Sequence, residues 1–176
     1  VGVALTFAVF AYGRVRMLEV EAASQQAPTI RIGLVQANLD VRAKDELGVL
    51  THRQHLDQTR ALLNEGEVDL VIWPESAYVR GIRRPLPVSS RPIVAEIPVP
   101  LLFGASSTRE EGGRKLKSNS ALLAGTDGMI RNAYDKNLLI PLAESLPFGS
   151  IVPALTRLFP HAEEFAAATA VPALSF

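Results

Sequence analysis

The chain has 176 residues, enough for one domain with a substantial core, and its 18 basic and 18 acidic side chains cancel. A neutral balance gives no steering toward nucleic acid, and the lack of cysteine excludes a disulfide framework, a thiolate metal site and a thiol nucleophile within these residues. Hydrophobic residues make up 48%, high for a soluble domain, and the excess lies at the start of the chain.

Val1 to Tyr12 carry no charge, and Arg14 and Arg16 follow. This run is shorter than the roughly 20 residues a bilayer-spanning helix needs. A signal-peptide core, a buried helix and the end of a membrane helix are the three readings. The last is favoured, since no basic segment precedes the run and no small-residue cleavage site follows it. Residues 1–18 are thus read as the end of a transmembrane helix. Residues 19–29, small, polar and closing on Ala27-Pro28, are read as a linker, and 30–176 as the globular part.

The globular part opens with a strand pattern, Ile30, Ile32 and Leu34 alternating with Arg31, Gly33 and Val35. A proline-free stretch from Asp45 to Glu65, with Leu47, Leu50, Leu56 and Leu63 near helical spacing, predicts a helix stopped by Gly66. Asp69 to Pro74 (DLVIWP) is a short apolar run of the kind buried in a sheet. Strand, helix, strand predicts α/β layering. Five prolines between Arg80 and Pro100 predict a long surface excursion, lid-like over a site, with a short element at Ile93–Ile97. Pro100 to Ser106 predicts a third strand, with Leu101 to Phe103 in the core rather than facing a membrane. Arg109 to Lys117 predicts a charged turn, and two further strands meet at the hairpin signal Asp127-Gly128. The stretch after Tyr134 is broken by Pro141 and Pro147. Ser150–Leu158 reads as a short helix before an alanine-rich tail.

Two polar groups follow apolar runs directly, Glu75 after the second strand and Lys136 after the last one. In α/β sheets ligands bind outside the carboxyl ends of the strands, where these charges would share one cleft. Glu144 lies eight residues beyond Lys136 in the proline-stiffened loop. His52 and His55 stand three apart, a spacing that suits a metal pair. With no ligand cluster nearby, ordinary helix positions are the favoured reading.

WPES (Trp73–Ser76), SNSALL (Ser118–Leu123) and YDKNLLIPLAE (Tyr134–Glu144) together resemble, in order and spacing, the nitrilase or carbon–nitrogen hydrolase superfamily. GLVQANLD (Gly33–Asp40), the tryptophan before Pro-Glu and the form K-x-x-L-I-P-x-x-E are similar to one branch, the periplasmic catalytic domain of the apolipoprotein N-acyltransferases. The resemblance covers about residues 30–150. It implies a nitrilase-like α-β-β-α sandwich, incomplete here, hung from transmembrane helices in the bacterial inner membrane with the catalytic domain on the periplasmic face. It also implies a Glu-Lys-Cys triad in which Glu75 is the base, Lys136 the lysine and Glu144 a supporting glutamate. The cysteine belongs on a strand beyond the segment around 141–175. The chain ends at Phe176 without one and is therefore expected to be inactive by itself. The implied reaction moves a fatty acyl chain from a phospholipid to the N-terminal amine of a diacylglyceryl-lipoprotein, with no cofactor or metal. The alternatives are another amidase or nitrile hydrolase of the superfamily, or a non-catalytic remnant.

Two departures from the family pattern carry expectations. Leu142-Ala143 stands where the family usually has Phe-Gly, and an alanine lacks glycine's backbone freedom, so the pattern fixes the placement of Glu144 less firmly than that of Glu75 or Lys136. The tryptophan that often follows the opening strand is missing. Chemically, a carboxylate near pKa 4.3 is a poor base for a thiol near 8.5. Partial burial of Glu75 is the expected remedy, and Lys136 is the expected partner of the developing oxyanion.

Overall fold

The computed structural model describes residues 2–38, 48–91, 93–94, 97–145, 165–170 and 172–174. It divides into two units, residues 1–30 and 31–176. The first unit is a single helix, α1 (Gly2–Gln26), with no buried side chain among its described residues. The linker expected from 19 is therefore helical as far as Gln26. Glu, Ala, Ser and Gln all tolerate a helix, and nothing breaks it before Pro28. No helix among the described residues is long and apolar enough to cross a membrane, because charges enter α1 from Arg14 onward.

The second unit is built on a mixed seven-stranded sheet. Its elements are β1 (Ile32–Leu34), α2 (Gly48–Glu65), β2 (Leu70–Ile72), β3 (Tyr78–Arg83), β4 (Val88–Ser89), β5 (Leu101–Glu111), β6 (Arg114–Ala124) and β7 (Met129–Asp135). The order across the sheet is β1-β2-β5-β6-β7-β4, with β3 also on β5. The opening β-α-β unit is parallel, as the sequence pattern predicts, and β2 and β5 are parallel too. The α/β class holds. β5, β6 and β7 form an antiparallel meander, so β7 runs in the same direction as β2 and β5.

β2 and β3 lie end to end along one edge of β5. Between Ile72 and Tyr78 the edge advances six positions while β5 advances three, from Leu102 to Ala105. The surplus residues make the Trp73–Ala77 turn. Trp73 anchors it from below, buried against Phe103 and His55, with its indole N–H donating to Thr59 Oγ1 at 2.9 Å. α2 presents Thr51, His55 and Thr59 to the sheet, one face at four-residue spacing. The leucine stripe read from the sequence is not the buried face: Leu50 is exposed, Leu56 and Leu63 are only partly buried, and Leu47 lies outside the described residues. Hydrogen bonds within the helix and to Trp73 offset part of the cost of burying this polar stripe. Thr59 donates to the His55 carbonyl at 2.7 Å and accepts from Trp73, and His55 Nδ1 meets the Thr51 carbonyl at 2.8 Å.

The excursion expected from 80 to 100 is instead tied into the sheet. β3 and β4 occupy its start, and Ile82, Ile93, Val94 and Ile97 are buried in the core with Leu101, Phe103 and Leu122. Prolines confine a chain to edges and turns without stopping flanking apolar residues from burying. The charged turn from 109 to 117 shrinks to Gly112-Gly113, both at positive φ as a tight hairpin requires, and β5 and β6 run on to either side of it. The predicted helix at Ser150–Leu158 lies outside the described residues.

Candidate active site

Because β2 and β7 run the same way, their carboxyl ends reach the same side of the sheet. The turn after β2 carries Glu75, and Lys136 directly follows β7. Lys136 Nζ lies 3.7 Å from Glu75 Oε1 and 2.7 Å from Glu144 Oε1. The three residues singled out in the sequence thus share one site, with the ammonium between two carboxylates.

Each arm is held by backbone bonds. The Lys136 amide donates to the Asn119 carbonyl at 2.8 Å, and the Lys136 carbonyl accepts from Ala168 at 3.1 Å. Glu144 closes a loop on Ile140: its own amide donates to the Ile140 carbonyl at 2.8 Å, and its Oε2 accepts from the Ile140 amide at 2.9 Å. The sharp bend expected of a glycine at 143 is made one residue earlier, by Leu142 at φ 68°. Ala143 needs no left-handed backbone, and Glu144 seats against Lys136.

Glu75 departs from expectation in its surroundings. Its side chain is 64% exposed, against 29% for Lys136 and 13% for Glu144. The Trp73–Ala77 turn bulges out of the sheet edge, with Ser76 at φ 53°, so Glu75 is raised above β5 rather than buried at a strand end. The more sheltered carboxylate of the site is Glu144. Its hydrogen bond from Lys136 outweighs burial and holds its carboxyl below the usual range. The same hydrogen bond, joined by the negative charge of Glu75, holds the Lys136 ammonium above the ordinary lysine range. Both groups are charged at neutral pH.

Two residues of the site carry no role in the sequence reading. Asn119, buried in the middle of β6, donates through Nδ2 to Glu75 Oε1 at 2.5 Å and to Glu144 Oε1 at 3.4 Å. The amide and the ammonium therefore engage the same two oxygens. Its signal in the sequence is a polar side chain inside the strand motif SNSALL. Gly104 lies under the turn. A Cβ there would stand 2.6 Å from both Glu75 Cα and Ser76 N, and its amide donates to the Pro74 carbonyl at 3.3 Å. A glycine within an apolar strand run signals such a close approach.

On the opposite face Asp135, one residue before Lys136, accepts from Ser120 Oγ at 2.6 Å, from Arg109 at 3.0 Å and from both terminal nitrogens of Arg84. This nearly buried network ties β3, β5 and β6 to the end of β7 and fixes the backbone from which Lys136 projects. Among the described residues no cluster of His, Asp or Glu has the arrangement of a metal site. His52 and His55 pack on Trp73, with ring centroids 5.9 and 5.3 Å away.

No family model matches the chain. A curated apolipoprotein N-acyltransferase of Chlorobaculum tepidum is 30% identical over 156 residues, covering 78% of this chain and 29% of that protein. The chain is a relative of the apolipoprotein N-acyltransferases. A Nostoc enzyme of that name is 31% identical over 133 residues, covering 73% of this chain and 25% of its own length. One from Geobacter metallireducens is 26% identical over 152 residues, covering 82% and 28%. The chain thus spans less than a third of the length of these relatives. Among solved structures, an amidase from a Nesterenkonia species is 19% identical with a TM-score of 0.43, covering 84% of this chain and 51% of that one. A carbon–nitrogen hydrolase from Helicobacter pylori G27 is 21% identical with a TM-score of 0.41, covering 64% and 40%.

Proposed function

We propose that this segment supplies the base and the lysine of a thiol-dependent N-acyltransferase, acting at the periplasmic face of a bacterial inner membrane. The observation that carries the reading is the Lys136 ammonium held between Glu75 and Glu144, on a chain whose curated relatives are named apolipoprotein N-acyltransferase. Direct transfer of an acyl group from an ester to an amine is slow, and a covalent intermediate divides it into two easier steps. A cysteine from outside these residues gives its thiol proton to Glu75. The sulfur attacks a phospholipid ester carbonyl, the C–O bond breaks, and the lysophospholipid alkoxide leaves with a proton. The lipoprotein α-amine then attacks the thioester, the C–S bond breaks, the amide forms and the thiol is restored.

Lys136 offers N–H donors to the oxyanion of each tetrahedral intermediate. Glu144 keeps that ammonium charged and aimed, and Asn119 fixes Glu75 Oε1 from the other side. No cofactor enters the scheme. The incomplete nitrilase-like sandwich and the membrane-helix end at residues 1–18 belong to the same reading.

The test uses the full-length product of the gene that encodes this segment, with a diacylglyceryl-lipopeptide acceptor and phospholipid micelles. Glu75→Gln and Lys136→Ala should each lower N-acylation by a factor of about 100 or more with the fold intact. Wild-type turnover in either variant contradicts the assignment. Release of free fatty acid or ammonia with no N-acylated product points to the hydrolytic alternative.

A further inference from the structure

The face of the sheet that carries Asn119 continues past the catalytic cluster into a cleft of about 1140 Å³ between β3 and the paired ends of β5 and β6. Its floor follows from the register. Ser106 pairs with Asn119, Thr108 with Lys117 and Glu110 with Lys115, so these side chains share a face with the site amide. Its wall is β3, which brings Arg80 and Arg83, the latter opposite Thr108. Six basic residues contribute to the lining, two of them, Arg84 and Arg109, with guanidiniums turned to Asp135 on the opposite face. That leaves Arg80, Arg83, Lys115 and Lys117 against one carboxylate, Glu110, among the described lining residues. Arg80, Arg83 and Lys115 are exposed and pair with no carboxylate among the described residues.

Such an excess of cations, flanked by the hydroxyls of Ser106 and Thr108, suits a phosphate ester. Guanidinium forks match its oxygens in pairs, and hydroxyls and ammonium groups complete the shell. The position is informative too. Lys117 is two residues from Asn119 along β6, about 7 Å at the strand's rise. In a glycerophospholipid the scissile ester and the phosphate are joined through the short glycerol unit. A carbonyl at Glu75 and Lys136 therefore places its phosphate near Thr108, within reach of Arg83 and Arg80, while the Lys117 ammonium lies over the Phe165 ring. We infer that this cleft is the phosphate subsite for the acyl donor, reading the headgroup linkage while the ester lies at the catalytic cluster. The inference rests on the acyl-transfer reading for the identity of the ligand, whereas its test needs binding only.

The experiment is calorimetric titration of the full-length gene product, and of its Arg80→Gln/Arg83→Gln variant, with dihexanoyl phosphatidylglycerol below its micelle concentration. Dihexanoylglycerol and inorganic phosphate are the comparison probes. The expected result is saturable binding of the phospholipid, weakened about tenfold or more in the variant and by added salt. Dihexanoylglycerol should bind more weakly and ignore the substitutions, and inorganic phosphate should bind more weakly than the lipid. Equal phospholipid affinity for both proteins overturns the subsite. Phosphate binding as tightly as the lipid overturns the donor assignment and leaves a plain anion site. Because no turnover is measured, loss of the acyl-transfer reading does not mimic either outcome.

Discussion

Asn119 donates through one nitrogen to two carboxylates that also share Lys136, so two donors and two acceptors close on each other. A carboxamide at that point orients Glu75, the proposed base, without adding a proton that titrates. Asn119→Ala should therefore lower the rate of N-acylation about tenfold to a hundredfold in the full-length protein, with little change in donor KM. Asn119→Asp should be worse, because a third carboxylate would repel the other two. A substitution at Asn119 that spares kcat would contradict a positioning role. The Lys136–Glu144 pair makes a second prediction. Glu144 has a lowered pKa, so its contribution to stability is present above the ordinary carboxylate range and is lost as pH falls through the depressed value. Lys136 has a raised pKa, so its contribution is complete below the ordinary lysine range and is lost only as pH rises through the raised value. The Tm difference between wild type and Glu144→Gln should be flat from about pH 6 to 9 and shrink toward about pH 3. At this scale Glu75, Lys136 and Glu144 were legible because each is a charge beside an apolar run or a stiffened loop. Asn119 was not, since its role depends on a strand register that no local pattern states.

The element that builds the site is a break in an edge strand. β2 stops, five residues turn outward, and β3 resumes on the same neighbour. Gly104 makes room beneath the turn, so Gly104→Ala forces the Glu75 and Ser76 backbone away from β5. The expected cost is about 1–3 kcal/mol of stability, measured by denaturant unfolding, together with loss of acylation in the full-length protein. An unchanged midpoint would show that the turn has slack. Asp135→Asn should cost about 3 kcal/mol, since it leaves two largely buried guanidiniums facing a neutral group. The strand-helix-strand opening and the Asp127-Gly128 hairpin were readable because they are local patterns of period and turn chemistry. β3 and β4 were hidden by prolines at 85 and 87. The polar inner face of α2 was hidden because threonine and histidine do not announce burial until their hydrogen-bond partners are known.

At the scale of the molecule, topology makes the chemistry. One β-α-β unit and one meander send β2 and β7 the same way, and so two charges 61 positions apart in the chain become neighbours. The direction of a strand is not written in its own residues, which is why the meeting of Glu75 and Lys136 was an expectation from sequence and an observation only in the structure. These 176 residues contain no cysteine, so the measurement that tests the proposed thiol mechanism most directly is made on the full-length gene product. It is incubated with phospholipid and no acceptor, and its intact mass is read before and after neutral hydroxylamine. The predicted result is a single acyl adduct that hydroxylamine removes, absent in Glu75→Gln and in Lys136→Ala, and discharged when a diacylglyceryl-lipopeptide is added. An adduct formed equally well in Glu75→Gln, or one that resists hydroxylamine, would contradict a thiol activated by Glu75.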